Sequence, residues 1–413
     1  MISDKKLPIY IAVFLFPVLI ATVRHGGGTV YVLLLIAGLI LGWSALQSLS
    51  IWEKRLLTGF LIFFLLLCIS LINTQDFSSG FKKMERYLHF PLLIPMYLLL
   101  KKYQIDTGKV FLSGILLASV VMFIQAFYQV VILGWDRAVG AYNSLIIGDV
   151  SMLAAAIIAC AVLTVSSNWR QHFICGLAIA MALSSSVLSG ARGAWILLPV
   201  LTLWFLWIKR KNLGYIPLLS IVSITLLLIV GVFNVSGVKV RVDRAVMEFQ
   251  NYSPDSTEKS SVGYRLTMWR DSLEIWKKHP IIGTGVGDFK SDRVQLFQDG
   301  KSSLEVPFGH AHSIYFDVLA TTGIVGFIGM FVFMQLLPFR MFYGYWTNEA
   351  DPWLKFYALS GMVTVISFAV FGLTEGWLAR NMFVRTYLMC ILVFMSSIAI
   401  IKMGGQPSKV NSV

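Results

Sequence analysis

Leu56 to Asn73 reads LLTGFLIFFLLLCISLIN, a run without a single charged side chain. A helix rises about 1.5 Å per residue, so a run of this length crosses a hydrocarbon core of about 30 Å. Its apolar residues do not alternate with polar ones, as strands of a membrane barrel would require. Comparable runs recur at about 7–23, 29–50, 87–100, 110–133, 147–166, 172–189, 193–208, 214–234, 313–338, 353–373 and 382–402, which gives about twelve spans. The run at 87–100 is short and carries Pro91 and Pro95, so a tilted, kinked or partly re-entrant segment is expected there.

Composition agrees with that reading. Hydrophobic residues make up 57% of the 413 positions and charged ones 13%, the reverse of a soluble domain. Cys68, Cys160, Cys175 and Cys390 all lie inside apolar runs, which leaves no disulfide framework and no zinc knuckle. The first run follows Lys5 and Lys6, but its length and the poor cleavage context at Ala21-Thr22-Val23 read as an uncleaved span. The expected fold is an all-α integral membrane protein, a single polytopic domain over residues 1–413. One long hydrophilic segment, residues 235–311, separates the ninth and tenth spans.

Orientation follows from the short loops, because lysine and arginine resist translocation. With the N-terminus inside, the inner side holds Lys5-Lys6, Lys54-Arg55, Lys101-Lys102 and Lys209-Arg210-Lys211. The outer short loops hold Arg24, Lys82, Lys83, Arg86, Arg137, Arg192, Arg380 and Arg385. Both termini are therefore expected in the cytoplasm and the long segment in the periplasm. The net charge of +13 is accounted for mostly by positive-inside loops, so nucleic acid is not an expected partner. Cations retained on the outer face point instead to an anionic ligand there.

Three basic residues break the local pattern. Arg192, in Ser189-Gly190-Ala191-Arg192-Gly193-Ala194, lies between two apolar runs with almost no loop. It either snorkels to lipid phosphate or meets a ligand, and the flanking glycines favour the second because they admit close approach to the backbone. Arg265 lies in YRLTMWRDSLEIWKK, residues 264–278, an amphipathic helix stopped by Pro280. At about 100° per residue, Leu266, Met268, Trp269, Leu273, Ile275 and Trp276 share one face, and Arg270, Asp271, Glu274, Lys277 and Lys278 the other. Arg265 falls in the apolar face, as a buried ion pair or a ligand-binding group.

The third is His312, in Gly309-His310-Ala311-His312-Ser313, at the mouth of the next span. If a helix begins there, His312, Phe316, Leu319, Gly323 and Gly326 form a stripe whose small residues permit close helix packing, with Asp317 pointing elsewhere. Imidazole exchanges protons near neutral pH, so His312 is a candidate base; a capping or core histidine is the alternative. His310 and His312 also invite a metal reading, but no nearby cysteine or third histidine completes a site, and none is expected. Gly283-Thr284-Gly285-Val286-Gly287 lacks the Lys-Ser/Thr ending of a phosphate loop and reads as a turn leaving the amphipathic helix. Glu375 is expected to pair with Arg380 and Arg385 or to orient a catalytic group.

His312-Ser313, nine residues, Gly323, Ile324-Val325 and Gly326 resemble the histidine motif of the O-antigen ligase family. Tyr264-Arg265 to Trp269, His279-Pro280 and Gly283 to Gly287 are similar to its periplasmic stretch, and Ser189 to Gly193 to its earlier arginine turn. Oligosaccharyltransferases of that family usually carry an added C-terminal region, whereas this chain ends soon after its last span, and polymerases often lack the full histidine pattern. The ligase is therefore the first expectation, with oligosaccharyltransferase, polymerase and a lipid-linked glycan flippase as rivals.

The resemblance implies transfer of a glycan from undecaprenyl pyrophosphate to a lipid A core sugar hydroxyl, at the periplasmic face of the bacterial inner membrane, with membrane lipids as the surroundings. It implies no cofactor and no nucleotide sugar. On it, Arg192 and Arg265 are expected to bind pyrophosphate and His312 to act as base. His310, Glu375, Lys82, Lys83 and Arg86 are supporting candidates. The absence of an Asp-x-Asp pair is consistent with chemistry that uses no metal.

Overall fold

The computed structural model describes residues 6–209, 243, 246–250, 260–305 and 308–404, and among these every regular element is helical. Among the described residues, seven helices are long and apolar enough to cross a membrane: Ile51–Asn73, Gly108–Ile132, Ser144–Thr164, Trp169–Ser189, Ile314–Asn348, Pro352–Thr374 and Asn381–Met403. Leu7–Thr22, Gly26–Leu41 and Arg192–Ile208 are apolar but shorter. The proline-bearing run becomes His89–Lys102, whose 14 residues at about 1.5 Å each fall short of a full crossing. The expected span at 214–234 lies outside the described residues. The architecture is thus an all-α bundle with seven helices of spanning length, and the fuller count of about twelve is not reached among the described residues.

Burial sorts these helices. Ser144–Thr164 and Pro352–Thr374 are each 83% buried along their apolar windows and Asn381–Met403 78%, against 39% for Ile51–Asn73 and 33% for Trp169–Ser189. The first three form the centre of the bundle and the last two its lipid-facing wall. Charges inside must be paired. Glu53 caps its own helix by accepting from Ser50 N–H, and is joined to Lys101 at 2.5 Å and to the Tyr97 hydroxyl. Lys101, read above as an inner-loop cation, is therefore buried and paired.

The segment over the bundle begins with helix Ser261–Lys278, capped by the Ser260 hydroxyl accepting from Gly263 N–H at 2.9 Å. Trp269 stacks on Phe316, ring centroids 5.1 Å apart, and fixes this helix to Ile314–Gly329. The wheel misplaced Asp271. It is fully buried, accepting from Arg293 Nε at 3.1 Å and from the Ser302 hydroxyl at 2.8 Å, while Leu273 is 38% exposed. The reason is a second partner: helix Phe289–Gln298 folds back and covers the flank that a one-sided wheel assigns to water.

The glycine positions then dock this segment into the bundle. Gly323 interrupts helix Ile314–Gly329 with φ 62°, ψ −166°. At that break Ile324 N–H donates to Pro280 C=O at 2.9 Å and Val325 N–H to Ile281 C=O at 3.1 Å, while Gly285 N–H donates to Thr321 C=O at 3.0 Å. A Cβ on Gly323 would lie 2.4 Å from the Ile281 carbonyl carbon. Gly323 therefore admits a loop backbone into the helix instead of a neighbouring helix, a correction to the packing stripe. Gly326 faces its own helix, where a Cβ would meet Thr322 Oγ1.

Candidate active site

His310 to Ser313 form the approach to helix Ile314–Gly329, which starts two residues after His312. His312 has φ 50°, a left-handed conformation uncommon for side-chain-bearing residues and kept only where neighbours hold it. Three contacts hold it here. Trp269 Nε1 donates to Ala311 C=O at 3.1 Å, Ala311 N–H to Asp317 Oδ1 at 3.4 Å, and the Ser313 hydroxyl to Gly372 C=O at 3.1 Å. Asp317 is thus buried, with its carboxylate turned back on the approach segment.

The His310 and His312 rings meet edge to face, centroids 4.3 Å apart. A carboxylate oxygen of Glu375 and one nitrogen of each ring all lie within 4.8 Å of one another. Glu375 is buried at the end of helix Pro352–Thr374; its Oε1 accepts from Arg380 Nε at 3.0 Å, and its Oε2 has no hydrogen-bond partner. The Nδ1 atoms of both histidines are likewise buried without one. Burial, with His310, Arg265 and Arg380 nearby, pushes the His312 imidazole down to about 4 against the opposing pull of Glu375. At neutral pH the ring is uncharged, the form that accepts a proton.

Arg265 leans toward the same group. Burial works against its charge and Glu375 and Asp149 support it, whereas Arg270 turns away to donate to Lys301 C=O at 3.2 Å. Asp149 was not singled out in the sequence. It is buried near the start of Ser144–Thr164, the sole charged residue of that helix, and a carboxylate alone in an apolar span is the signal that could have found it.

The turn bearing Arg192 follows Gly190, whose φ of 65° ends the preceding helix. A Cβ on Gly193 would lie 2.1 Å from Thr374 Oγ1, and one on Gly148 2.4 Å from Ala191 Cβ. These glycines make room for the neighbours of Glu375 and Asp149, so Gly193 serves helix packing and not the ligand approach read from sequence. The turn is thereby wedged between the two helices that carry those carboxylates.

The cations of helix Phe77–Tyr87 separate. Lys82 is exposed and Arg86 half-buried, while Lys83 is buried with no hydrogen-bond partner at Nζ. Its stripe, Gly80, Lys83, Met84 and Tyr87, faces the docked loop, where a Cβ on Gly80 would meet Val286 C=O at 2.8 Å. Glu375 pairs with Arg380 but not with Arg385, which lies within helix Asn381–Gly404 and contacts His89 Nε2 at 3.2 Å.

His310, His312 and Glu375 have the donor types of a divalent-metal site, and Glu375 supplies the third donor that sequence spacing did not reveal. Arg265 and Arg380 oppose added positive charge at His312, while Glu375 favours it.

Fold and cluster together define a polytopic membrane protein in which two histidines and a buried carboxylate meet beside Arg265 and Arg380. Residues 177–331 match the family model described as O-antigen ligase, which bears out the resemblance read from the motifs. That match includes Arg192, Arg265, His310, His312 and Gly323. An uncharacterized protein of Haemophilus influenzae is 25% identical over 408 residues, 95% of this chain and 100% of that protein.

Proposed function

We propose that the protein is an O-antigen ligase that moves a glycan from undecaprenyl pyrophosphate to a sugar hydroxyl of the lipid A core. One observation carries this reading: an uncharged, partly buried histidine sits within reach of a carboxylate and in the field of two guanidiniums. That pairing of a base with an anion site is what such a transfer needs. His312 takes the proton of the acceptor hydroxyl as its oxygen attacks the anomeric carbon. The anomeric C–O bond to phosphate breaks, and the electron pair leaves with the pyrophosphate; one direct displacement inverts the anomeric centre.

Arg265 and Arg192 hold the diphosphate as its charge grows, where a fixed guanidinium acts most strongly. Lys83, whose buried Nζ lacks a hydrogen-bond partner, is a supporting candidate for contact with a phosphate of the lipid A core. The bound diphosphate also raises the proton affinity of His312 from its low resting level, so the base strengthens as the donor arrives. The step uses no metal, nucleotide or organic cofactor. In this reading the site faces the periplasm, and the protein lies in the inner membrane with both termini cytoplasmic.

The test supplies purified protein with labelled undecaprenyl-pyrophosphate glycan and, in parallel, lipid A core, a pilin-like protein, or no acceptor. Label in lipid A core with release of undecaprenyl pyrophosphate supports the ligase. Label in the protein alone identifies an oligosaccharyltransferase, and extended glycan on the donor lipid a polymerase. Donor crossing a vesicle membrane with no new glycosidic bond identifies a flippase.

A further inference from the structure

Arg385 belongs to none of the groups described above. It points from helix Asn381–Gly404 toward Gly26–Leu41 and floors an open cavity of about 310 Å³ lined by His25, Gly28, Thr29, Val32 and Leu33. Gly28 makes this possible, since a Cβ there would lie 2.5 Å from Arg385 Nη1. The backbone at the rim is tied down by His25 N–H donating to the Tyr142 hydroxyl at 2.5 Å.

The polar groups around this guanidinium are incompletely satisfied. Its hydrogen bond goes to His89 Nε2 at 3.2 Å, and it lies over the Tyr31 ring at 5.7 Å. The Tyr31 hydroxyl and His89 Nδ1 are buried without partners. Among the described residues no carboxylate forms a salt bridge with Arg385; Glu85, whose field reaches it, is exposed and does not pair with it. A cation held at the edge of a bilayer without a counter-charge is costly, and an anion is what would relieve it.

The walls identify the anion's carrier. Val32 is 39% and Leu33 59% exposed on an apolar helix, a wall suited to acyl chains. We infer that this groove binds an anionic membrane phospholipid through its headgroup phosphate on Arg385, with the acyl chains lying along Val32 and Leu33. The site is separate from the His312 cluster and does not depend on the reaction assigned to it.

The experiment measures retention of phosphatidylglycerol, relative to phosphatidylcholine, by the purified full-length protein in mixed detergent micelles, using native mass spectrometry. Wild type and Arg385→Lys are expected to retain phosphatidylglycerol, whereas Arg385→Gln loses a guanidinium–phosphate contact and weakens retention roughly tenfold. Thr29→Trp, at an exposed position on the groove wall, should reduce retention similarly without touching the core. Equal retention by wild type, Arg385→Gln and Thr29→Trp overturns the inference. So does displacement of the lipid by inorganic phosphate at matched concentration, because that result makes the site one for free anions.

Discussion

Arg380 Nε donates to Glu375 Oε1 at 3.0 Å, while Oε2 is buried without a hydrogen-bond partner and one carboxylate oxygen lies within 4.8 Å of a nitrogen of each of two histidines. The pair fixes the carboxylate while leaving it available to His312. Glu375 favours the imidazolium and Arg380 opposes it, so the two residues tune one proton site in opposite directions.

That opposition gives a pH prediction with a definite sign. His312 is pushed down to about 4 and acts as base when neutral, so kcat/KM should rise as pH increases through about 4 and then level off. Glu375→Gln removes a group that favours the proton and should move this acidic limb to lower pH. Arg380→Gln removes one that opposes it and should move the limb to higher pH. Profiles of kcat/KM with saturating acceptor check both; shifts in the same direction would contradict the assignment.

Arg265 and Arg270 lie five residues apart on one helix yet face different surroundings. Arg265→Ala should lower kcat/KM by roughly two to three orders of magnitude, the usual cost of removing one group that stabilises developing negative charge. Arg270→Ala, which loses a bond to the Lys301 carbonyl, should stay near wild type. Steady-state assays on both variants decide the matter, and comparable losses would count against an inward Arg265.

Gly323→Ala should loosen the docked loop. Its φ of 62° and the 2.4 Å approach of Ile281 leave no place for a Cβ, so destabilisation should exceed about 1 kcal/mol. Gly344→Ala is the control, since a Cβ there meets nothing within 4 Å. Limited proteolysis between residues 279 and 287, compared across the two variants, reads the effect directly.

The His310, His312 and Glu375 donors make metal dependence a direct question. Transfer is expected to persist at wild-type rate after exhaustive chelation and removal of the chelator. Loss of activity restored by a divalent ion would replace the proton-transfer account with a metal-centred one.

Much of this was legible in the sequence because the bilayer leaves few options: long uncharged runs must be helices, and an arginine or histidine beside one stands out. Arg192 and His312 were visible on those grounds, and Arg265 as a cation in the apolar face of an amphipathic helix. Asp149 was visible in principle, as a carboxylate alone in its helix, but its relation to Arg265 needed the bundle. Asp271 was misread because a wheel knows one packing partner and the fold supplies two. The role of Gly323 was hidden for a different reason: a small residue at helix spacing gives no sign that another backbone enters there. Arg385 looked equivalent to Arg380 by position, but Arg380 lies in the extended link before helix Asn381–Gly404 and Arg385 within that helix.

The most direct measurement is single-turnover transfer by purified His312→Asn and His312→Ala protein, with labelled lipid-pyrophosphate donor bound to saturation. The account predicts donor binding within a few fold of wild type and glycosidic bond formation slowed by about two to four orders of magnitude, the range for loss of a general base. Near-wild-type turnover in either variant, with donor bound, would contradict the role of His312 as base.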